Sequence, residues 1–171
     1  APFAPPPRNK YADQYWDRHR GHWQLPQEYH YTTWTAERTI ANIEESVQAD
    51  KPFFIWSSFH DPHPPYVVPE PWARMYNTYD MVPGTLEEGE LDRLPPHFRM
   101  TQEEKPDYSA FREPHTTPGF HSHRHDVDML KKDIAIYYGM ISFMAEQIGR
   151  TMKKLDALGI ADNTSIAFTT D

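Results

Sequence analysis

Residues 51 to 72 read Lys-Pro-Phe-Phe-Ile-Trp-Ser-Ser-Phe-His-Asp-Pro-His-Pro-Pro-Tyr-Val-Val-Pro-Glu-Pro-Trp. The stretch opens on an apolar run, Phe53 to Phe59, between Pro52 and Pro62. A short run rich in aromatic and β-branched residues predicts a β-strand. Its lack of alternation predicts a strand covered on both faces, as in a parallel sheet. Then His60, Asp61 and His63 arrive together, fenced by Pro62, Pro64, Pro65 and Pro69. Titratable side chains directly after a buried strand fall where open parallel sheets keep their ligand crevices. The prolines restrict the backbone that carries the two imidazoles. On spacing alone the pair also reads as ordinary loop histidines, because His-x-x-His without further ligands is a weak metal signal.

Outward from this stretch, helices and a second strand follow the order of a βαβ protein. Ala36, Ile40, Ile43 and Val47 recur at helical spacing, which predicts a helix over 34–49 with Thr33 as its N-cap. It should end near Asp50, because Pro52 disfavours a helical Lys51. From Val127 to about Leu158, the positions Ile134, Tyr137, Tyr138, Ile141, Met144, Ile148, Met152 and Leu155 predict one long helix with these residues as its core stripe. Gly139 and Gly149 read as places of close packing, and Gly159 as a left-handed stop. Ser165 to Thr170 then predicts a second short strand, with Asp171 at its carboxyl end. Strand, crossover helix and strand make a parallel pair, which would bring His63 and Asp171 to one edge of the sheet.

The remaining chain is irregular by pattern. Residues 1–30 begin in proline and mix aromatics with charge, which suits either a stacking rim for a sugar or aryl group or a surface segment. Residues 60–125 form a loop-rich insertion, with short helices expected at Leu86 to Arg93 and Thr101 to Lys105. His121, His123 and His125 could bind zinc, hold a sulfate by charge, or stand on a solvated loop. With 171 residues the chain has the length of one domain, yet hydrophobic content is 38% and 17 residues are proline. The mean hydropathy of −0.81 adds to the impression of a piece of something larger. The formal charge of −8 argues against nonspecific nucleic-acid binding. No run approaches the roughly 20 apolar residues of a membrane span. The proline-rich start lacks the apolar region of a signal peptide.

Pro52 to Tyr66 resembles the segment of type I sulfatases, members of the alkaline phosphatase superfamily, that follows a central strand and carries an active-site histidine. Tyr137 to Asp171 resembles the helix and strand before that family's second metal-ligand motif. The resemblance implies an alkaline phosphatase-like α/β fold, three layers αβα around a mainly parallel sheet, of which residues 1–171 are an internal part. It implies that His63 is a sulfate contact or general acid, that His60 is a wall of the substrate pocket, and that Asp171 binds a divalent cation, usually Ca2+. The function implied is a sulfuric ester hydrolase acting on a sulfated sugar or aryl compound. A phosphatase or phosphonate monoester hydrolase on the same scaffold, or a non-catalytic relative, are the alternatives. The family's nucleophile is a formylglycine matured from Cys or Ser in a Cys/Ser-x-Pro-x-Arg motif. This sequence has no cysteine and no Ser-x-Pro-x-Arg, so formylglycine is expected from a region outside it, and these residues alone should not turn over substrate.

Overall fold

His30 starts the first long helix, α1, Tyr31–Gln48. Its backbone is extended at φ −75° and ψ 137°, and its Nδ1 accepts from the Thr32 N–H at 3.2 Å. The predicted helix is therefore present but begins earlier, and Thr33 lies buried inside it. Histidine is not among the preferred N-cap residues, so propensity favours a threonine such as Thr33 instead. The helix closes on Ala49, and Asp50 follows with a left-handed φ of 50°. Ala36, Ile40 and Ile43 are buried, as their period predicts.

The computed structural model describes residues 20–85, 87–100 and 127–170. Within them the only ladder is a parallel pair, β1 Arg20–His22 with β2 Tyr66–Val68, in register Arg20↔Tyr66, Gly21↔Val67 and His22↔Val68. The Trp23 N–H extends it to the Val68 carbonyl at 3.2 Å. With α1 between them, the two strands form a βαβ unit in an α/β chain. They come from segments read as irregular and loop-rich, because three residues are too few to display a period.

The two strands expected at 53–59 and 165–170 have no ladder among the described residues. Residues 53–59 lie along α1 by one face only. Phe53, Ile55 and Phe59 are half-buried, and Ser57 Oγ meets Thr39 Oγ1 at 2.6 Å. Phe54 and Trp56 face the other way, 87% and 73% exposed. Ile166 and Phe168 are exposed too. The expected double coverage is thus absent here, since a strand needs hydrogen-bonded neighbours and none of the described residues supplies them.

The predicted long helix is present as α3, Val127–Ala157, roughly 45 Å at 1.5 Å per residue. Its buried face keeps Leu155 of the expected stripe but otherwise shifts away from it. Ala135, Met140, Phe143, Gln147 and Leu155 are buried, whereas Tyr138, Ile141 and Met152 are exposed. Gly139 explains the choice of face. A Cβ there would lie 2.3 Å from the Trp72 carbonyl oxygen, so the bare backbone lets α3 settle against the turn Trp72–Arg74. Gly149 has nothing within 4 Å and does not share that role. Val68, Trp72, Met140 and Phe143 form the resulting core, with Tyr66, Ala73 and Ile136 against it. Two charged pairs link α3 to α1, Arg150 with Glu37, and Lys154 with Glu44 at 2.7 Å.

Gly159 ends α3 as predicted, with φ 70°. The Ile160 N–H returns to the Leu155 carbonyl at 3.1 Å and the Gly159 N–H to that of Asp156 at 3.0 Å, the double bond of a Schellman cap. Between β2 and α3 the described chain makes single turns at Thr78–Asp80 and Glu90–Arg93 and a short helix, α2 Pro96–Met100. Part of the expected helix at Leu86 to Arg93 is thus a 3-10 turn. The one expected at Thr101 to Lys105 lies outside the described residues.

Candidate functional site

The loop leaving the extended segment 53–59 is pinned at Asp61. This carboxyl is 4% exposed, although both histidines beside it are exposed. The Tyr31 hydroxyl donates to its Oδ1 and the Thr32 hydroxyl to its Oδ2. Both donors sit in the first turn of α1, where the His30 cap fixes the backbone. Burial pushes the Asp61 carboxyl above its ordinary range, while the Thr32 and Tyr31 hydroxyls and the neighbouring His60 pull the other way. A buried carboxylate is tolerated when its oxygens are used, and here both are.

His60 and His63 stand over this anchor as a pair. Their ring centroids are 4.8 Å apart, and His60 meets the edge of the Tyr31 ring at 5.6 Å. The His63 N–H donates to the His60 carbonyl at 3.0 Å, closing the turn between them. His63 Nδ1 lies 2.5 Å from the Pro64 carbonyl oxygen. A carbonyl only accepts, so Nδ1 carries the proton and Nε2 is the ring atom that can take or give one. Once Nε2 is protonated as well, an imidazole so oriented can hold an oxyanion or give up that proton.

The structure thus brings His60 and His63 together. Asp171 lies outside the described residues, as do His121, His123 and His125, so their relation to the pair is not part of this geometry. Among the described residues no three His, Cys, Asp or Glu side chains converge as a metal site. They therefore supply no full ligand set for the implied cation. Two surface hollows, one lined by Glu87, Asp92 and Arg99 and one by Arg74, Tyr76 and Lys132, lie apart from the histidines. Among the described residues no helix is long and apolar enough to cross a membrane.

Tyr31, Thr32 and His30 were not legible as neighbours of this loop. Tyr31 is 30 residues from Asp61, and no local pattern links them. His30 is 0% exposed, with Nε2 3.3 Å from the Val67 carbonyl, and serves the fold rather than the open site.

A model of the Sulfatase family matches residues 5–171. Among curated proteins, the chain is 28% identical over 162 residues to the multifunctional alkaline phosphatase superfamily protein PehA of Trinickia caryophylli, covering 86% of the chain and 28% of that protein. It is 27% identical over 140 residues to human iduronate 2-sulfatase, covering 80% of the chain and 24% of that enzyme. It is 23% identical over 142 residues to the uncharacterized sulfatase YidJ of Escherichia coli K12, covering 81% of the chain and 25% of that protein. The chain spans about a quarter of the length of the curated relatives it matches.

Proposed function

The chain belongs to the sulfatase family, and from that premise we propose that its 171 residues form an internal part of the catalytic domain of a sulfuric ester hydrolase. The domain has the three-layer alkaline phosphatase-like architecture, and its substrate is a sulfate ester of a sugar or aryl compound. The observation that carries the reading is the His60–His63 pair, mounted on a carboxylate that is itself out of reach of solvent.

Sulfate ester cleavage develops charge on the sulfuryl oxygens and on the leaving oxygen. The doubly protonated His63 ring turns its Nε2–H to one of these, holding a sulfuryl oxygen or giving that proton to the leaving group. Its Nδ1–H stays on the Pro64 carbonyl, which fixes the ring orientation. His60 walls the pocket beside it. Asp171 serves as one carboxylate ligand of a divalent cation, Ca2+, which supplies charge for polarising the sulfuryl group when bound. Formylglycine is the nucleophile, supplied from outside these residues.

A second reading is favoured by the printed name of one relative, a multifunctional alkaline phosphatase superfamily protein. It makes the substrate a phosphate or phosphonate ester, with His63 holding a phosphoryl oxygen instead. Turnover of 4-nitrophenyl sulfate, 4-nitrophenyl phosphate and a 4-nitrophenyl phosphonate by the full-length protein separates the two. Highest kcat/KM on the sulfate is expected. A preference for either phosphorus ester would replace the first reading with the second, and no turnover of any of them would favour a non-catalytic relative.

A further inference from the structure

We propose that Asp61 is a positioning residue for the His60–His63 pair, acting through the two hydroxyls that hold it to the start of α1. The inference rests on the reading of His63 as a substrate contact. At 4% exposure Asp61 does not reach a substrate. Its place in the chain, between two exposed imidazoles, is what gives its burial a consequence.

The contacts run in series from helix to imidazole. His30 caps α1 by accepting the Thr32 N–H, which fixes the residue whose hydroxyl then donates to Asp61 Oδ2. Tyr31 acts twice: its hydroxyl donates to Asp61 Oδ1, and its ring edge meets His60. His60 in turn packs against His63 and accepts the His63 N–H through its carbonyl. Each link is short, so the loop takes its position from the helix end. Hydroxyl-to-carboxylate bonds are among the stronger ones available for such a tie. Supporting groups of this kind set the geometry of catalytic side chains, and their loss costs activity although they touch nothing that reacts.

The test uses the full-length protein with Asp61→Asn, Tyr31→Phe and Thr32→Val, and 4-nitrophenyl sulfate as the probe. Asp61→Asn is expected to lower kcat by about 10- to 100-fold, the scale of lost supporting contacts, with KM little changed. Tyr31→Phe keeps the ring against His60 and should cost less. The second readout does not depend on turnover: nuclear Overhauser cross-peaks between the His60 and His63 ring protons, present in the wild-type protein and lost in Asp61→Asn. Should Asp61→Asn fail to fold, the Tyr31→Phe, Thr32→Val double variant removes both donors while keeping the carboxylate, and is read the same way. Unchanged ring cross-peaks in a folded variant would overturn the proposal. A wild-type protein inactive on sulfate esters, with the cross-peaks behaving as expected, would instead remove the sulfatase reading and leave the positioning role standing.

Discussion

His30 Nε2 donates to the carbonyl oxygen of Val67 at 3.3 Å, so the residue that caps α1 also holds β2. Its other nitrogen accepts the Thr32 N–H, which fixes the neutral tautomer. The ring is enclosed by Trp23 at 4.7 Å, Tyr31 at 4.2 Å and Phe143 at 5.0 Å between centroids. One imidazole thereby joins the first helix, the sheet and α3. A proton on Nδ1 would break the cap and place a cation among aromatic rings.

Acid should therefore unfold this protein through His30. Burial lowers its pKa from 6.5 to about 4, with the Val67 carbonyl opposing the shift. The unfolded chain binds the proton more readily, so the neutral ring's contribution is full above about pH 6.5 and is lost as pH falls toward 4. The loss amounts to about 3 kcal/mol at 1.36 kcal/mol per unit. Asp61, with its raised pKa, works in the opposite sense. Comparing urea unfolding of wild type and His30→Asn between pH 7 and pH 4.5 cancels that contribution. The variant should show the shallower decline; parallel curves would remove His30 from the account.

The two helical glycines of α3 should respond oppositely to alanine. At Gly139 the new Cβ would meet the Trp72 carbonyl oxygen at 2.3 Å, and backbone on both sides leaves it no easy escape. Overpacking of this kind costs about 1–3 kcal/mol. At Gly149 nothing lies within 4 Å, so alanine should gain up to about 1 kcal/mol from helix propensity alone. Thermal midpoints of the two variants should fall on either side of wild type. A shift in the same direction would mean that the Trp72 contact does not set the approach of α3.

Phe143→Ala should be the costliest single truncation in the core. The side chain is fully buried, at 4.7 Å from the Trp72 ring and against His30. Large-to-small changes at such sites cost about 3–5 kcal/mol. A second consequence follows from its contact with His30. Opening that wall to water should return the imidazole toward its ordinary pKa and flatten the acid limb of stability. Measured unfolding against pH tests both parts, and an unaltered acid limb would contradict the second.

What was legible in the sequence divides by range. The helices α1 and α3 announce themselves through local period, and Gly159 marks its own stop because only a left-handed residue closes the cap. The buried face of α3 departs from its apolar period because the helix carries apolar residues on more than one face. The face that packs is decided by Gly139 and Trp72, far apart in sequence. The extended segments 53–59 and 165–170 have strand composition, but pairing is a property of neighbours. The pair that does form, β1 with β2, is too short to show a pattern. At the site, the cluster His60, Asp61 and His63 was visible at once, whereas its anchors Tyr31 and Thr32 exist only through the fold.

His63 and His60 should be unequal when each is replaced by alanine in the full-length protein. His63 offers Nε2 to the reaction with its other nitrogen already committed to Pro64, so its loss removes an oriented proton donor or oxyanion contact. Loss of a positioned acid or base typically costs about 10²- to 10⁴-fold. His60 supplies a ring face and a turn carbonyl, and the carbonyl survives the substitution. Its replacement should cost less. The leaving group then separates the two roles open to His63. 4-Nitrophenolate departs without a proton, whereas a sugar alkoxide needs one. A general acid would therefore be missed far more on a sulfated sugar than on 4-nitrophenyl sulfate, while a sulfuryl contact would be missed equally on both. Equal small losses for His60→Ala and His63→Ala on either substrate would place the reacting group elsewhere.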